Sequence, residues 1–247
     1  MFIAASTRCY SEKSFEEACH LISDLEYDKV ELWFDENSED MQPAKVAAEP
    51  ERFFSQYREI TRLTPIALYL EQDVDLPTLT GLSKLAKLLR ITQITIPASP
   101  MGTPFNTEID RLREFLNVVS QDGVRISLKT KTGHLTEDPH TAVELCQAVR
   151  GLGLTLDPSY YINGPNRGES YDQVFPYVFH THLRDTTPEQ LQVQIGLGEV
   201  DYSRLISQLL RQNYQRALSV DIIPSNNDEV ARPLEMRKLR MLLDTLL

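Results

Sequence analysis

The residues best suited to acid–base or metal chemistry lie mainly in the second half of the chain, at the ends of short apolar segments. A carboxylate, an imidazole and a second carboxylate come from three successive segments, and such a donor set suits a divalent cation. Two lysines end the segment before them, and a lysine can serve as an acid, a base or a Schiff-base amine. In chain order these residues are Lys129, Lys131, Asp157, His180, His182, Arg184 and Asp221. Their types predict a site for proton transfer or for cation binding.

Each of these residues also has an ordinary structural explanation. An aspartate at the end of a strand often caps the next helix, which applies to Asp157 and to Asp221 taken singly. The two histidines flank Thr181, so both face the same side of a strand, and one of them can be a packed core residue. The two lysines share a face in the same way, and an inward-pointing lysine pair is unusual without anionic partners. The lysine pair therefore favours a functional site, whereas either aspartate alone does not.

The elements that must position these residues are short apolar runs that alternate with segments of helical periodicity, a pattern typical of βαβ units and a parallel sheet. Ser14, for example, is predicted to cap a helix whose apolar stripe runs from Phe15 to Leu25. The predicted strands span residues 2–5, 29–34, 65–70, 94–97, 124–130, 152–156, 177–183 and 217–222. The predicted helices span residues 15–25, 50–63, 78–89, 107–120, 138–149, 202–212 and 228–247, with a short one near residue 171.

Eight pairs of strand and helix in 247 residues predict one (β/α)8 barrel, which has this size and is closed by right-handed crossovers. No Gly/Ser-rich linker or charge block divides the chain, so residues 1–247 are predicted to form a single domain. An open doubly wound sheet is the alternative, but no G-x-G-x-x-G motif follows the first strand. In a barrel the carboxyl ends of the strands carry the chemistry, and the candidate residues lie there.

The composition limits the partners and the compartment. A formal net charge of -11 argues against nucleic acid, although one or two local cations can bind a single phosphate. Three widely spaced cysteines without a CxxC pair fit a reducing compartment. The first residues have no basic region before a long apolar run, and no run approaches the ~18 apolar residues of a membrane span. We therefore expect a cytoplasmic protein with a small-molecule partner, and no nucleic-acid or membrane partner; the oligomeric state stays open.

Residues 129–221 resemble the second half of the xylose-isomerase-like barrel superfamily, and the similarity extends over nearly the whole chain. The segments that carry it are LTLDPS at 154–159, VFHTHLRD at 178–185, QIGLGEVD at 194–201 and ALSVD at 217–221, with GTPFN at 102–106 after the fourth strand. The superfamily includes sugar and sugar-phosphate isomerases, ketose 3-epimerases, inosose dehydratases and metal-dependent apurinic endonucleases. The resemblance implies the (β/α)8 fold and chemistry at the carboxyl ends of the strands.

The metal site that the resemblance implies is degenerate. Asp157 and His182 match family ligands, and Asp221 takes the place of the last glutamate. Lys129 replaces the glutamate that ends the fifth strand in the family. Tyr160 occupies the position where a histidine often follows the aspartate of the sixth strand. A divalent ion repels an ammonium, and two carboxylates favour the charged form of lysine. Our hypothesis is that the Lys129 ammonium is an internal counter-ion and that no cofactor is present. The alternative is one Mn, Mg, Co or Zn ion on Asp157, His182 and Asp221.

The resemblance implies first a sugar or sugar-phosphate isomerase or epimerase that transfers a proton next to a carbonyl. The alternative is a non-catalytic carbohydrate-binding or regulatory barrel, which the replaced strand-five carboxylate favours. An apurinic-type endonuclease would need more histidine ligands and a basic groove, which five histidines and an acidic chain disfavour. The catalytic candidates are Lys129, Asp157, His182 and Asp221, and the substrate-binding candidates are Glu31, Lys131, His180 and Arg184.

Overall fold

Eight parallel strands form a closed barrel in the computed structural model, which describes residues 1–225 and 230–247. Each strand pairs with its neighbours in sequence, and the first pairs with the last, so that Phe2 lies opposite Ala217. The strands are β1 (Phe2–Ser6), β2 (Lys29–Phe34), β3 (Thr64–Leu70), β4 (Gln93–Pro97), β5 (Arg125–Lys129), β6 (Gly153–Leu156), β7 (Val178–Leu183) and β8 (Ala217–Val220). This arrangement confirms the predicted (β/α)8 barrel.

The helices surround the barrel and agree with most of the predicted segments. They are α1 (Phe15–Asp24), α2 (Pro43–Ala48), α3 (Pro50–Ile60), α4 (Leu76–Leu89), α5 (Phe105–Ser120), α6 (Pro139–Ala148), α7 (Pro158–Asn163), α8 (Tyr202–Arg211) and α9 (Arg232–Leu246). Ser14 caps α1 as predicted, because its hydroxyl accepts from the Glu17 amide at 3.2 Å. Short 3-10 helices span Thr7–Tyr10, Leu135–Glu137 and Asp172–Tyr177.

Several helical segments differ from the prediction. The short helices α2 and α7 were not expected, and each begins at a proline that suits the first helical turn. The helix expected near residue 171 is a 3-10 helix, in which Pro176 prevents regular α-helical hydrogen bonding. The predicted start of the last helix, Asp228, lies outside the described residues, and α9 begins at Arg232.

Alternate residues of each strand point to the axis of the barrel. Many of these inward-pointing side chains are polar. Thr95 and Thr155 join through their hydroxyls at 2.8 Å, and Ser127 contacts both Thr155 and Gln93. The intervening strand residues, such as Leu128 and Leu156, belong instead to the hydrophobic core under the helices. One two-residue step from Ser127 and Thr155 towards the carboxyl ends leads to Lys129 and Asp157. The strand period therefore positions the candidate site at the top of the barrel.

The glycine-containing loop after β7 is organised by the buried Asp185. Its Oδ2 accepts from the amides of Gly196 at 2.8 Å and Gly198 at 3.0 Å. A Cβ on Gly198 would lie 2.0 Å from the Asp185 carboxylate, so only glycine allows this approach. This loop is thus a turn built around one carboxylate.

Candidate functional site

Lys129 is the centre of a charged cluster at the carboxyl ends of the strands. Its Nζ lies 3.0 Å from Asp157 Oδ2 and 3.2 Å from Asp221 Oδ2, and it also contacts His182 Nδ1. Lys129 ends β5, Asp157 follows β6, His182 lies on β7 and Asp221 follows β8, so successive strands bring the four residues together. None of the four is more than 1% exposed. The structure thus groups all four residues that the sequence selected as catalytic candidates.

Two arginines approach the same carboxylates. Arg184 Nη2 lies 2.5 Å from Asp157 Oδ2 and 2.8 Å from Asp221 Oδ2, and Arg8 Nη1 lies 3.3 Å from Asp221 Oδ2. Burial opposes ionisation of the Asp157 carboxyl, but Arg184 and then Lys129 outweigh it and lower its pKa. For Asp221, burial is likewise outweighed by Lys129, Arg8 and Arg184, which hold its pKa well below the usual range. Both aspartates are therefore carboxylates compensated by cations of the chain itself.

A second layer of the cluster lies below Lys129. Glu31 Oε1 is 2.9 Å from Nε2 of both His180 and His182. Burial would raise the pKa of the Glu31 carboxyl, but His182 and His180 outweigh it and lower the pKa to about 2. Burial and the Lys129 ammonium lower the pKa of His182, although Glu31 and Asp221 act in the opposite direction. In its neutral form His182 donates from Nε2 to Glu31 and accepts from Lys129 at Nδ1, which gives a continuous Lys–His–Glu chain.

Glu71 forms a third part of the site at the rim of the barrel, directly after β3. Its Oε2 accepts from Tyr69 at 2.8 Å and from Trp33 at 3.0 Å, and it pairs with Arg8 at 3.2 Å. Its Oε1 pairs with Lys131 at 2.9 Å. Burial is outweighed by Arg8 and Lys131, which lower the pKa of Glu71 to about 2. Arg8 thus joins the rim carboxylate to the central Asp221.

The four substrate-binding candidates occupy two environments. Glu31, His180 and Arg184 are at most 2% exposed, and groups of the cluster itself contact their polar ends. Lys131 lies at the rim beside a cavity of about 330 Å³, which we call the rim cavity. The rim cavity is lined by Glu71, Gln72, Asp73, Pro97, Ala98, Ser99, Pro100, Lys131 and His134. Of the four candidates, Lys131 is the one that adjoins this open space.

Sequence reasoning did not select Arg8, Glu71 or Tyr69, although these residues complete the site. The positions of two of these residues in the sequence could have indicated them, since Glu71 immediately follows β3 and Arg8 lies two residues beyond β1. The same strand-end rule that selected Asp157 and Asp221 applies to both.

The side chains present do not fit the divalent ion that the retained ligand set implies. Asp157, His182 and Asp221 each offer one ligand atom, and these atoms lie within 4.8 Å of one another. However, Lys129 Nζ contacts a ligand atom on each residue, and Arg184 Nη2 contacts both aspartates. A second group of candidate ligands is Glu31, His180 and His182, in which both Nε2 atoms already adjoin Glu31 Oε1. A divalent ion at the first position would lie against an ammonium and a guanidinium.

Comparison with known proteins identifies the fold family. The family model for the xylose isomerase-like TIM barrel matches residues 19–242. A search of curated proteins finds no match to this chain. Among the described residues, no helix is long and apolar enough to cross a membrane.

Solved structures with the same fold include epimerase-like and dehydratase proteins at low identity. A xylose isomerase-like TIM barrel protein from Mycobacterium smegmatis in complex with magnesium is 15% identical, with a TM-score of 0.77 over 99% of this chain and 97% of that chain. A D-tagatose 3-epimerase-like protein is 14% identical, with a TM-score of 0.75 over 100% and 98%. A probable 3-DHS dehydratase from Bacillus anthracis, involved in petrobactin synthesis, is 16% identical, with a TM-score of 0.73 over 97% and 98%. At these identities the likeness shows a common fold.

Proposed function

Because the chain belongs to the xylose isomerase-like TIM barrel family, we propose that it binds a small sugar or sugar phosphate at the carboxyl ends of its strands without a divalent metal ion. The observation that carries this proposal is the contact of Lys129 Nζ with Asp157, Asp221 and His182. An ammonium in this position supplies the positive charge that two buried carboxylates require. In this proposal the ligand binds at the carboxyl ends of the strands, and the protein does not use metal-dependent chemistry.

The charge balance of the cluster supports the same proposal. Four carboxylates and four cationic side chains form one connected set, in which Glu31 joins Lys129 through His182, and their formal charges sum to zero. The carboxylates are Glu31, Glu71, Asp157 and Asp221, and the cations are Arg8, Lys129, Lys131 and Arg184. Buried charges are costly unless they are paired. This balance therefore favours a site whose charges are compensated by the protein's own side chains, without a bound metal ion.

A metal-free isomerase or epimerase is the second candidate, and the Lys129–His182–Glu31 chain favours it. Such a chain can move a proton between a reacting group and a buried carboxylate, which a pure binding site does not require. Asp157 and Asp221 would be the bases and Lys129 would stabilise the developing negative charge. All of these groups are at most 1% exposed, so substrate must gain access to them before reaction. The binding function is therefore our first choice.

Calorimetry and exchange spectroscopy on the purified protein separate the two candidates. D-fructose and D-fructose 6-phosphate are titrated in EDTA and in Mn²⁺, and proton exchange next to the carbonyl is followed in D₂O. We expect sugar binding that is the same in both media, and no exchange. Exchange in EDTA that disappears in Lys129→Gln would favour the metal-free enzyme. Tight stoichiometric Mn²⁺ binding with Mn²⁺-dependent exchange would contradict both candidates.

The expected setting of this function is the cytoplasm, with a small molecule and not nucleic acid as the partner. Cys9, Cys19 and Cys146 are all buried and free in the described chain, which suits a reducing compartment. The net charge of -11 disfavours a phosphate backbone. A gel-shift assay with abasic DNA tests this directly, because tight, salt-sensitive binding would restore the endonuclease alternative.

A further inference from the structure

We infer that the ligand of the rim cavity is an uncharged, hydroxyl-bearing molecule, a neutral sugar or polyol, and not a sugar phosphate. This inference rests on the proposed function and narrows it, since sequence and fold leave both ligand classes open. It follows from the charges, hydrogen-bonding groups and size of the cavity lining. The residues that carry the argument are Glu71, Asp73 and Lys131, with Gln72, Ser99 and His134 between them.

Every charged side chain of the cavity lining has a partner of opposite sign. Lys131 pairs with Glu71 Oε1 at 2.9 Å, and Glu71 also pairs with Arg8 through Oε2 at 3.2 Å. Asp73 pairs with Arg111 from outside the lining at 2.6 Å. A phosphate group would have to compete with Glu71 for Lys131, while two carboxylates of the lining repelled it. The cavity therefore disfavours an anion although it contains a lysine.

Hydroxyl groups can use the same lining without disturbing these pairs. The Lys131 ammonium has three N–H donors, of which Glu71 takes one in this structure, and a hydroxyl oxygen can accept another. Within the described part of the chain, Glu71 Oε1 contacts Lys131 alone and can accept from a hydroxyl proton, whereas Oε2 already has three partners. A sugar hydroxyl both donates and accepts, so it suits an ammonium beside a carboxylate.

The neutral part of the lining is also suited to hydroxyls. Burial lowers the pKa of His134, and the Lys131 charge lowers it further, so His134 adds no positive charge near neutral pH. Its Nδ1 donates to the Thr132 carbonyl at 3.2 Å, which leaves Nε2 as an acceptor. The Ser99 hydroxyl donates to Glu108 at 2.6 Å and retains its acceptor lone pairs. The cavity volume of about 330 Å³ is at the lower end of the range for small-molecule sites.

Matched pairs of probes test the ligand class on the full chain. D-fructose is compared with D-fructose 6-phosphate, and D-xylulose with D-xylulose 5-phosphate, by calorimetry in EDTA, with inorganic phosphate as a third probe. We expect the neutral sugar of each pair to bind at least about tenfold more tightly, and inorganic phosphate to compete with neither. Tighter binding of the phosphorylated sugars would overturn this inference and leave the proposed function intact. If neither member of either pair binds, the proposed function fails and the inference fails with it.

Variants test the location of the site. Lys131→Met is expected to weaken binding of the neutral sugar about tenfold, because it removes a charged donor. Lys87→Met is the matched control, since Lys87 forms a surface ion pair with Asp122 outside the rim cavity. His134→Ala is a second cavity variant that removes no ion pair, and we expect it to weaken binding as well. Unchanged affinity in both folded cavity variants would overturn the assignment to this cavity.

Discussion

Lys129 and Lys131 lie two residues apart at the end of β5, yet they have opposite environments. Lys129 is 1% exposed and contacts Asp157, Asp221 and His182 within the barrel. The side chain of Lys131 is 24% exposed and pairs with Glu71 at the rim cavity. Lys129 is the last residue of β5 and Lys131 lies two residues beyond it, so depth along the barrel axis separates them. One side-chain type therefore serves as a buried counter-ion in one position and as a ligand-accessible cation in the next.

Removing the buried lysine should have the largest effect on stability. Lys129→Met leaves Asp157 and Asp221 with less compensation, because among the described residues the arginines are then the permanently charged cations beside them. Breaking a buried ion pair by removing one partner costs about 3–5 kcal/mol. We expect urea unfolding followed by circular dichroism at pH 7 to show a loss of this size in the free energy of unfolding. A loss below about 1 kcal/mol would mean that the arginines alone compensate the aspartates.

Acid should weaken the buried cluster through its carboxylates. The pKa of Glu31 is lowered from 4.5 to about 2 in the folded state, so its contribution is fully present above the unfolded-state pKa. That contribution is lost as the pH falls from about 4.5 through about 2, because the unfolded chain takes up the proton first. A shift of this size corresponds to about 3 kcal/mol, and Glu31→Gln should remove it.

The measurement is urea unfolding at several values between pH 6 and pH 2 for the unmodified protein and for Glu31→Gln. We expect the unmodified protein to lose more stability over this interval than the variant does. Parallel curves for the two proteins would show that the Glu31 carboxylate contributes no stability through its lowered pKa.

Reversing the charge of the buried lysine should create affinity for a metal ion. Lys129→Glu adds an anionic ligand beside Asp157, His182 and Asp221 and removes the ammonium, so Mn²⁺ should bind at least about tenfold more tightly than to the unmodified protein. Arg184 still contacts both aspartates, so combining Lys129→Glu with Arg184→Met should strengthen binding further.

Calorimetry with Mn²⁺ measures this gain, and Lys129→Met is the control that removes the cation without adding a ligand. Tight stoichiometric binding to the unmodified protein would contradict the counter-ion interpretation. If the double variant also fails to bind, the retained donors are not spaced for a divalent ion.

The sequence predicted the barrel because hydrophobic periodicity is a local property. The predicted strand 29–34 coincides with β2, and the predicted strand 217–222 extends two residues beyond the end of β8 at Val220. The overestimate has a physical cause, since Asp221 and Ile222 continue the buried pattern of β8, and the Asp221 amide still donates to the Leu183 carbonyl of β7 at 2.9 Å, although the strand itself ends at Val220. Local patterns therefore locate the elements well and their ends less well.

The candidate site could be predicted only in part, because its contacts join side chains from different strands, and the sequence does not indicate how far each side chain extends across the end of the barrel. The four central residues follow from a family pattern and the strand period. The contact of Arg8 with Asp221 joins residues 213 positions apart, and no local pattern indicates it. Arg184 is a predicted substrate-binding residue, and the sequence did not indicate that its guanidinium contacts Asp157 and Asp221 in the buried cluster. The depth that separates buried from rim charges is a property of the closed barrel.

Removing the rim lysine should have the smallest effect on stability, and this sharpens the comparison with Lys129. Lys131→Met leaves Glu71 with Arg8, Trp33 and Tyr69 as partners, so the carboxylate stays compensated and hydrogen-bonded. The side chain of Lys131 is partly exposed, and solvent screening limits the value of such a pair to about 0–1 kcal/mol. Urea unfolding at pH 7, measured beside Lys129→Met, should therefore show a loss within this range, while the affinity for a neutral sugar falls. A loss of stability equal to that of Lys129→Met would show that both lysines belong to one structural network. The distinction between a buried counter-ion and a ligand-facing cation would then not hold.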